Sequence, residues 1–277
     1  MTQVSSPLVT KEMILSGLRQ VGVDAEMKLM VHSSLSSFGR VEGGPVTVID
    51  ALLEVLTPAG VLLMPSFNHG APFGEGGAGI YDPATTPTTN GVIADTFWRM
   101  PAVYRSLNPT HPFAAWGGGS SRFVNGHHRT LTMGEDSPLG LLLQAGGYGL
   151  LMGVGYEVNT FHHVVEVVTG APCLGKRTEE YPVRMPDGSI APVRTWGWRE
   201  RSCPLTGDGR YGEEMRRQGL ERTAKVGECK FTLFRLRDCF KVVANLLQEG
   251  RNENPPCVRC PIRPRVVTTT VPSDWED

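Results

Sequence analysis

Three short apolar runs set the tightest limit on what this chain can fold into: Lys28–His32 (KLMVH), Gly60–Met64 (GVLLM) and Gly149–Gly153 (GLLMG). Each is strand-length and reads as a buried strand. Ahead of the first, residues 8–22 (LVTKEMILSGLRQVG) have helical periodicity, with Thr10 as N-cap and Gly22 as stop. Between the first and second, Pro45–Leu56 reads as a second helix, ending at TPAG. Helix–strand–helix–strand over the first 65 residues is an α/β rhythm, which predicts parallel strands.

The rhythm then loosens. Residues 66–92 have no clear periodicity, and a loop that long in a compact domain reads as a lid or substrate wall. Further helices are expected at Ile93–Arg99, at 137–145 with Ser137 as cap and Pro138 in first position, and at Asn159–Val168. A strand is expected at FAAWG (113–117), before a Gly-rich exit, and Asn108-Pro-Thr-His-Pro112 just ahead of it reads as a Pro-bounded turn. Residues 178–201 read as a β-hairpin around Asp187-Gly188, and 210–220 and 233–248 as helices. The expected fold is α/β: a mixed, mostly parallel central sheet with flanking helices and a smaller C-terminal portion. Residues 1–250 form the main domain, and 251–277 are a Pro- and Arg-rich tail packed on it.

Charge and composition narrow the function classes. Lys plus Arg number 27 and Asp plus Glu 28, a formal net charge of −1, which speaks against a general nucleic-acid or anionic-membrane binder. No apolar run reaches the roughly 18 residues of a membrane span, and the opening MTQVSSPLVTKEMI lacks a signal-peptide pattern. Six cysteines in this context read as reduced thiols or metal ligands of a cytoplasmic protein, not as a disulfide framework. No phosphate loop, dinucleotide fingerprint, G-x-S-x-G elbow or H-E-x-x-H motif is present.

The most informative constellation is Asn159-Thr-Phe-His162-His163-Val-Val-Glu166, directly after an apolar strand and a Gly-rich turn. A helix starting there faces the carboxyl edge of a parallel sheet, where open α/β sheets bind ligands. Its positive end disfavours a charged imidazole, and a general base must be neutral. Glu166, three residues after His163, shares its face. Two packing histidines at a helix start remain an equal reading, and a metal site of His162, His163 and Glu166 a third. His32-Ser33-Ser34-Leu35 closes the first strand; small hydroxyl residues there admit a ligand close to the backbone, or simply make a turn. Glu75, Asp82, Glu157 and Glu200 suit either an acidic cleft for a polycation or solvated surface. Cys257-x-x-Cys260, with Cys203 and Cys229 elsewhere, is half of a zinc knuckle or a set of free thiols.

With these residues in view, the chain resembles the aminoglycoside 3-N-acetyltransferase family from about residue 10 to about residue 248. Three blocks carry the resemblance in order: VHSSLSSFGRVEGGPVTVIDALLEVLTPAGVLLMPSF, YDPATTPTTNGVIADTFWRMPAVYRSLNPTHPFAAWG and DSPLGLLLQAGGYGLLMGVGYEVNTFHHVVE. The subgroup acting on apramycin and gentamicin, with a Cys-rich C-terminus, looks most similar. The resemblance implies transfer of acetyl from acetyl-coenzyme A to the 3-amino group of an aminoglycoside, in a direct ternary complex. It places the catalytic histidine on His163, with Glu166 following, and an orienting glutamate on Glu200. His162 stands where the family usually has an apolar or aromatic residue. The segment His32, Ser33, Ser34, Leu35 matches a pantetheine-contacting stretch, with backbone donors for the thioester carbonyl. Lys225 or Arg105 would meet the coenzyme's phosphates, and Glu75, Asp82 and Glu157 the acceptor. A structural zinc would take Cys203, Cys257 and Cys260, with Cys229 as fourth ligand. The partners expected are the two small molecules, with no nucleic acid and no membrane, and a monomer or homodimer as the assembly. An N-acyltransferase for a non-antibiotic amine, or a metal-dependent hydrolase, is the alternative.

Overall fold

The computed structural model describes residues 7–68, 79–171, 180–195, 203 and 205–253. Local signals set the first elements. Helix α1 (Lys11–Val21) starts where the Thr10 hydroxyl accepts the Met13 amide at 3.4 Å and stops at Gly22, whose φ of +88° places it in the left-handed region. Strand β1 (Lys28–Ser33) follows, then α2 (Pro45–Leu56) with proline in its first turn, then β2 (Val61–Pro65). Helix α3 (Val92–Phe97), the short β3 (Tyr104–Arg105) and β4 (Phe113–Gly117) come next. Helix α4 (Ser121–Val124) precedes α5 (Pro138–Gln144), which Ser137 caps by accepting the Gly140 amide at 3.2 Å. Then come β5 (Tyr148–Met152), α6 (Phe161–Val168), the hairpin β6 (Tyr181–Arg184)–β7 (Ile190–Val193), α7 (Tyr211–Arg217), β8 (Glu221–Val226), β9 (Cys229–Arg235) and α8 (Leu236–Glu253).

Seven strands form one mixed sheet in the order β3-β4-β2-β1-β5-β9-β8, and β6 and β7 pair separately. Its centre is parallel: β1 pairs with β2 (Met30 opposite Leu63) and with β5 (His32 opposite Leu151). The flanks are antiparallel, β4 on β2 and β9 on β5. Alternate residues feed two cores. Leu29, Val31, Leu62, Met64, Leu150, Phe231 and Leu233 face α1, α2 and α3. Met30, Val61, Leu63, Leu151 and Phe234 face the layer of α4 to α8. No described helix is long and apolar enough to cross a membrane. The 251–277 tail, past the first residues that complete α8, lies outside the described residues.

Two expectations are corrected. The sheet is mixed as expected but not mostly parallel: β1–β2 and β1–β5 pair in parallel, whereas β2–β4, β3–β4, β5–β9 and β8–β9 are antiparallel. The helix expected over 233–248 begins only at Leu236, because 229–235 is the inner strand of a hairpin with β8, turned at Gly227-Glu228. Cys229, Phe231 and Leu233 alternate with exposed Lys230, a short period-2 signal that the long helix after it overrides. The hairpin expected around Asp187-Gly188 forms as read, and Tyr81 bridges to its Val183.

Two close packings carry testable consequences. Gly17 lies on the face of α1 against β8, and a Cβ there would run into the Val226 side chain. Gly17→Ala should therefore destabilise the fold by about 1–3 kcal/mol, despite alanine's better helix propensity, and lower the thermal midpoint by several degrees. His127, buried beneath β3 and β4, donates from Nε2 to the Thr132 carbonyl (2.9 Å) and accepts at Nδ1 from Ser106 Oγ (3.0 Å). Burial pushes its pKa down from 6.5 to about 4. The unfolded chain then binds a proton that the folded one refuses, so stability should fall as pH drops from about 6.5 towards 4. Thermal unfolding of wild type and His127→Asn across that window checks this: the acid slope should be shallower in the variant.

Candidate active site

The carboxyl ends of the parallel strands β2, β1 and β5 open on a cavity of about 400 Å³. From the strands come His32, Ser33 and Pro65; from the loop before α3, Thr89 and Asn90; from the turn into α6, Glu157 and Val158; and from α6 itself, His162 and His163.

Helix α6 is seated by two side-chain acceptors. Asn159 Oδ1 accepts the Phe161 amide at 3.3 Å, and His32 Nε2 accepts the Thr160 amide at 3.3 Å while lying 3.1 Å from Thr160 Oγ1. An acceptor at Nε2 fixes the proton of His32 on Nδ1. Burial lowers its pKa to about 4, so the ring stays neutral. Phe161, Val164 and Val165 bury the helix face beneath the sheet, and Glu166 goes in with them, fully buried.

On the cavity side, His163 is about a third exposed and its Nδ1 lies 2.9 Å from Glu166 Oε2. The other carboxylate oxygen, Oε1, accepts a hydrogen bond from the hydroxyl of Thr206, itself fully buried. A carboxylate accepting on both oxygens draws the imidazole proton to Nδ1, which places the lone pair on Nε2. His162 is buried, edge-on to His163 with ring centroids 4.2 Å apart, and its Nδ1 lies 3.4 Å from the Tyr211 hydroxyl. One ligand atom each from His162, His163 and Glu166 lie within 4.8 Å of one another, the grouping behind the metal reading. Here the His163 and Glu166 atoms face each other in a hydrogen bond.

A second cavity, about 640 Å³, adjoins the first and shares Val154 and Glu157 with it. Its wall carries Asp208, Glu213 and Glu221 opposite Arg210, Arg216 and Lys230. Sequence reasoning does not find these residues, nor Thr206. They come from α7, the β8–β9 hairpin and the turn before α7, and no short motif links them to the His163 block.

The other residues singled out from sequence are distributed as follows. His32 and Ser33 line the His163 cavity, but Ser34 donates its amide to the Met152 carbonyl (3.0 Å), continuing the β1–β5 ladder, so that amide is not held out for a thioester. Leu35 packs on the core of the opposite face. Lys225 sits on β8, two strands from β5, paired with Glu228 at 3.0 Å. Arg105 points inwards, giving Nε to Ser66 Oγ (3.0 Å) and Nη2 to the Ser66 carbonyl (2.8 Å), and lies over Trp98; it ties the loop down and is not offered to a phosphate. Asp82 pairs with Arg184 at 3.0 Å and fastens the same loop to the β6–β7 hairpin, away from the cavity lining. Glu157 lies at the wall between the cavities, its Oε1 accepting the Gly155 amide at 2.9 Å. The zinc set with Cys229 is not assembled: Cys203 packs in the α4–α8 core and Cys229 in the α1–α3 core, on opposite faces of the sheet, so one tetrahedral ion cannot bind both. Glu75, Glu200, Cys257 and Cys260 lie outside the described residues.

Comparison with known proteins gives the family and the fold. Residues 30–248 match the family model described as aminoglycoside 3-N-acetyltransferase. Aminoglycoside N(3)-acetyltransferase IV of Salmonella sp is 36% identical over 247 residues, covering 87% of this chain and 88% of that protein. Among solved structures, the YokD protein from Bacillus subtilis superposes with a TM-score of 0.78 at 29% identity, covering 90% of this chain and 97% of its own. A mutant of aminoglycoside acetyltransferase AAC(3)-IVa in complex with a gentamicin gives a TM-score of 0.76 at 28% identity, covering 89% of this chain and 91% of its own. With the fold, the cavity at the parallel strand ends and these matches in agreement, the chain belongs to the aminoglycoside 3-N-acetyltransferase family, a family of acyltransferase enzymes.

Proposed function

We propose that this protein transfers the acetyl group of acetyl-coenzyme A to the 3-amino group of an aminoglycoside, with His163 as general base in a direct ternary complex. The observation that carries the reading is the 2.9 Å pairing of His163 with a fully buried carboxylate at the edge of a cavity.

An ammonium has no lone pair, so the acceptor must lose a proton to react. That proton is lost to solvent beforehand, and His163 Nε2 takes the second proton as the neutral amine nitrogen attacks the thioester carbonyl. The new C–N bond forms, the C–S bond breaks, and the proton passes on to the departing thiolate. Glu166 stabilises the imidazolium in between and holds the ring in the productive tautomer. The pantetheine arm enters along His32 and Ser33, and the amine arrives from the side of Glu157. The three described cysteines, Cys203, Cys229 and Cys239, are buried and none lines the His163 cavity. Burial also pushes the Cys229 thiol up to about 12. These features favour direct transfer over an acyl-enzyme on any described thiol. The metal-dependent alternative would have to break the hydrogen bonds that already engage both oxygens of Glu166.

Two outcomes are expected. In a thiol-release assay with acetyl-coenzyme A and a panel of aminoglycosides, His163→Ala should lower turnover at least about a hundredfold while the affinity for acetyl-coenzyme A is kept. Turnover within about threefold of wild type would reject the role, and activity confined to simple non-sugar amines would move the acceptor to another class. Glu157→Gln should raise KM for the polyamine several-fold with little change in KM for acetyl-coenzyme A. It should also flatten the rise of KM with salt, because an exposed charge pair is screened. A salt dependence identical to wild type would remove Glu157 from the acceptor site.

A further inference from the structure

Both oxygens of Glu166 are engaged by described residues, and these partners come from different parts of the chain. Oε2 faces His163 Nδ1 on the same helix; Oε1 receives the hydroxyl of Thr206, forty positions further along. We propose that Thr206 is a positioning residue for acyl transfer: its hydroxyl, donated to Glu166, keeps that carboxylate an acceptor towards His163 and so fixes which imidazole nitrogen carries the lone pair. The inference rests on the reading of His163 as the base and adds a third member to that pair.

The chemistry follows from burial and proton counting. Glu166 and Thr206 are both fully buried. A buried carboxylate stays ionised only while donors face it; deprived of one, it favours its neutral form. Protonated Glu166 would own an O–H and donate it to His163 Nδ1. The ring proton would then sit on Nε2, and the nitrogen facing the amine would have no lone pair. The threonine hydroxyl has one proton to give, and giving it to Oε1 works against that state.

The turn that presents Thr206 is held against the site by its backbone. Gly207 donates to the Cys203 carbonyl at 2.8 Å and Gly209 to the Thr206 carbonyl at 3.1 Å. Gly209 has φ +71°, and a side chain on it would run into the backbone of Tyr156 and Glu157. Two residues on, the Tyr211 hydroxyl donates to the Tyr156 carbonyl at 3.0 Å. The turn is thus pressed onto the segment that leads into α6. Among the described residues, the titratable groups packed about Glu166 are His162 and His163 on its own helix and Tyr211 on α7, with Cys203 and, on α8, Cys239 in the same buried cluster. Burial pushes Tyr211 and Cys239 up, so both are neutral across the working range.

The test compares Thr206→Val, which keeps the shape and removes the hydroxyl, with Thr206→Ser, which keeps the hydroxyl. Thiol release gives kcat and KM across pH, beside thermal midpoints and acetyl-coenzyme A affinity. Thr206→Val should lower kcat about 10- to 100-fold, the scale of a hydrogen bond to a charged group, with KM for acetyl-coenzyme A unchanged. The acid limb of its profile should move to higher pH, where Glu166 ionises. Thr206→Ser should stay within about threefold of wild type with an unmoved profile. If Thr206→Val does not fold, Thr206→Ala reads the same quantities. A wild-type profile in the hydroxyl-free variant overturns the proposal. So does a loss equal at all pH values, or one that serine fails to rescue. The two readings fail separately: an active His163→Ala removes the base, whereas an inactive His163→Ala beside a wild-type Thr206→Val removes only the role of Thr206.

Discussion

Glu166 holds a carboxylate where no water reaches it, and a charge so placed costs several kcal/mol unless donors face it. The surroundings supply them: an imidazole from the same helix and a hydroxyl from a remote turn. That requirement links parts of the molecule that sequence distance separates. Helix α6 must be seated well enough to aim both His163 and Glu166, and the turn before α7 must lie close enough to deliver Thr206. The Tyr156–Tyr211 ring contact and the hydroxyl bond beneath it join these two pieces directly. The acid–base reading and the packing of this corner therefore stand on the same contacts.

The direction of the sheet explains why the site is where it is. Parallel pairing of β2, β1 and β5 brings three carboxyl ends together, and each is followed by a segment that must turn away to reach its helix. The opening between those segments is the cavity. Antiparallel strands on either side close the flanks with hairpins or short returns and leave the centre as the place where chain departures diverge. The start of α6 lies over that opening, and its positive end is met there by the neutral His32 ring, which accepts the Thr160 amide.

The central strands, α1, α2, α5 and the β6–β7 hairpin are legible because local signals agree: caps at Thr10 and Ser137, a proline opening α2, Asp187-Gly188 at a turn. The His163–Glu166 pair is legible because both residues lie on one helix, where spacing alone determines contact. Legibility ends where contact depends on tertiary approach. Nothing local in Leu205-Thr206-Gly207 marks a partner for Glu166. Arg105 and Asp82 have the residue types of ligand-binding groups, and only their surroundings show that they are ties within the fold. The same holds for cysteines. Cys203 and Cys229 are plausible co-ligands by type, but the sheet between them depends on the β8–β9 hairpin, whose alternating pattern merges into the helical one of α8.

His32 hangs the first turn of α6 from β1, through a side chain and not through the connection out of β5. The segment from Gly153 to Asn159 is thereby relieved of aiming the helix by itself. It carries Glu157, the wall between the two cavities. Changes of sequence in that short stretch can reshape the wall between the cavities while the first turn of α6 stays where β1 holds it. In this fold the part free to vary and the part that must not move are neighbours in the chain but are anchored to different strands.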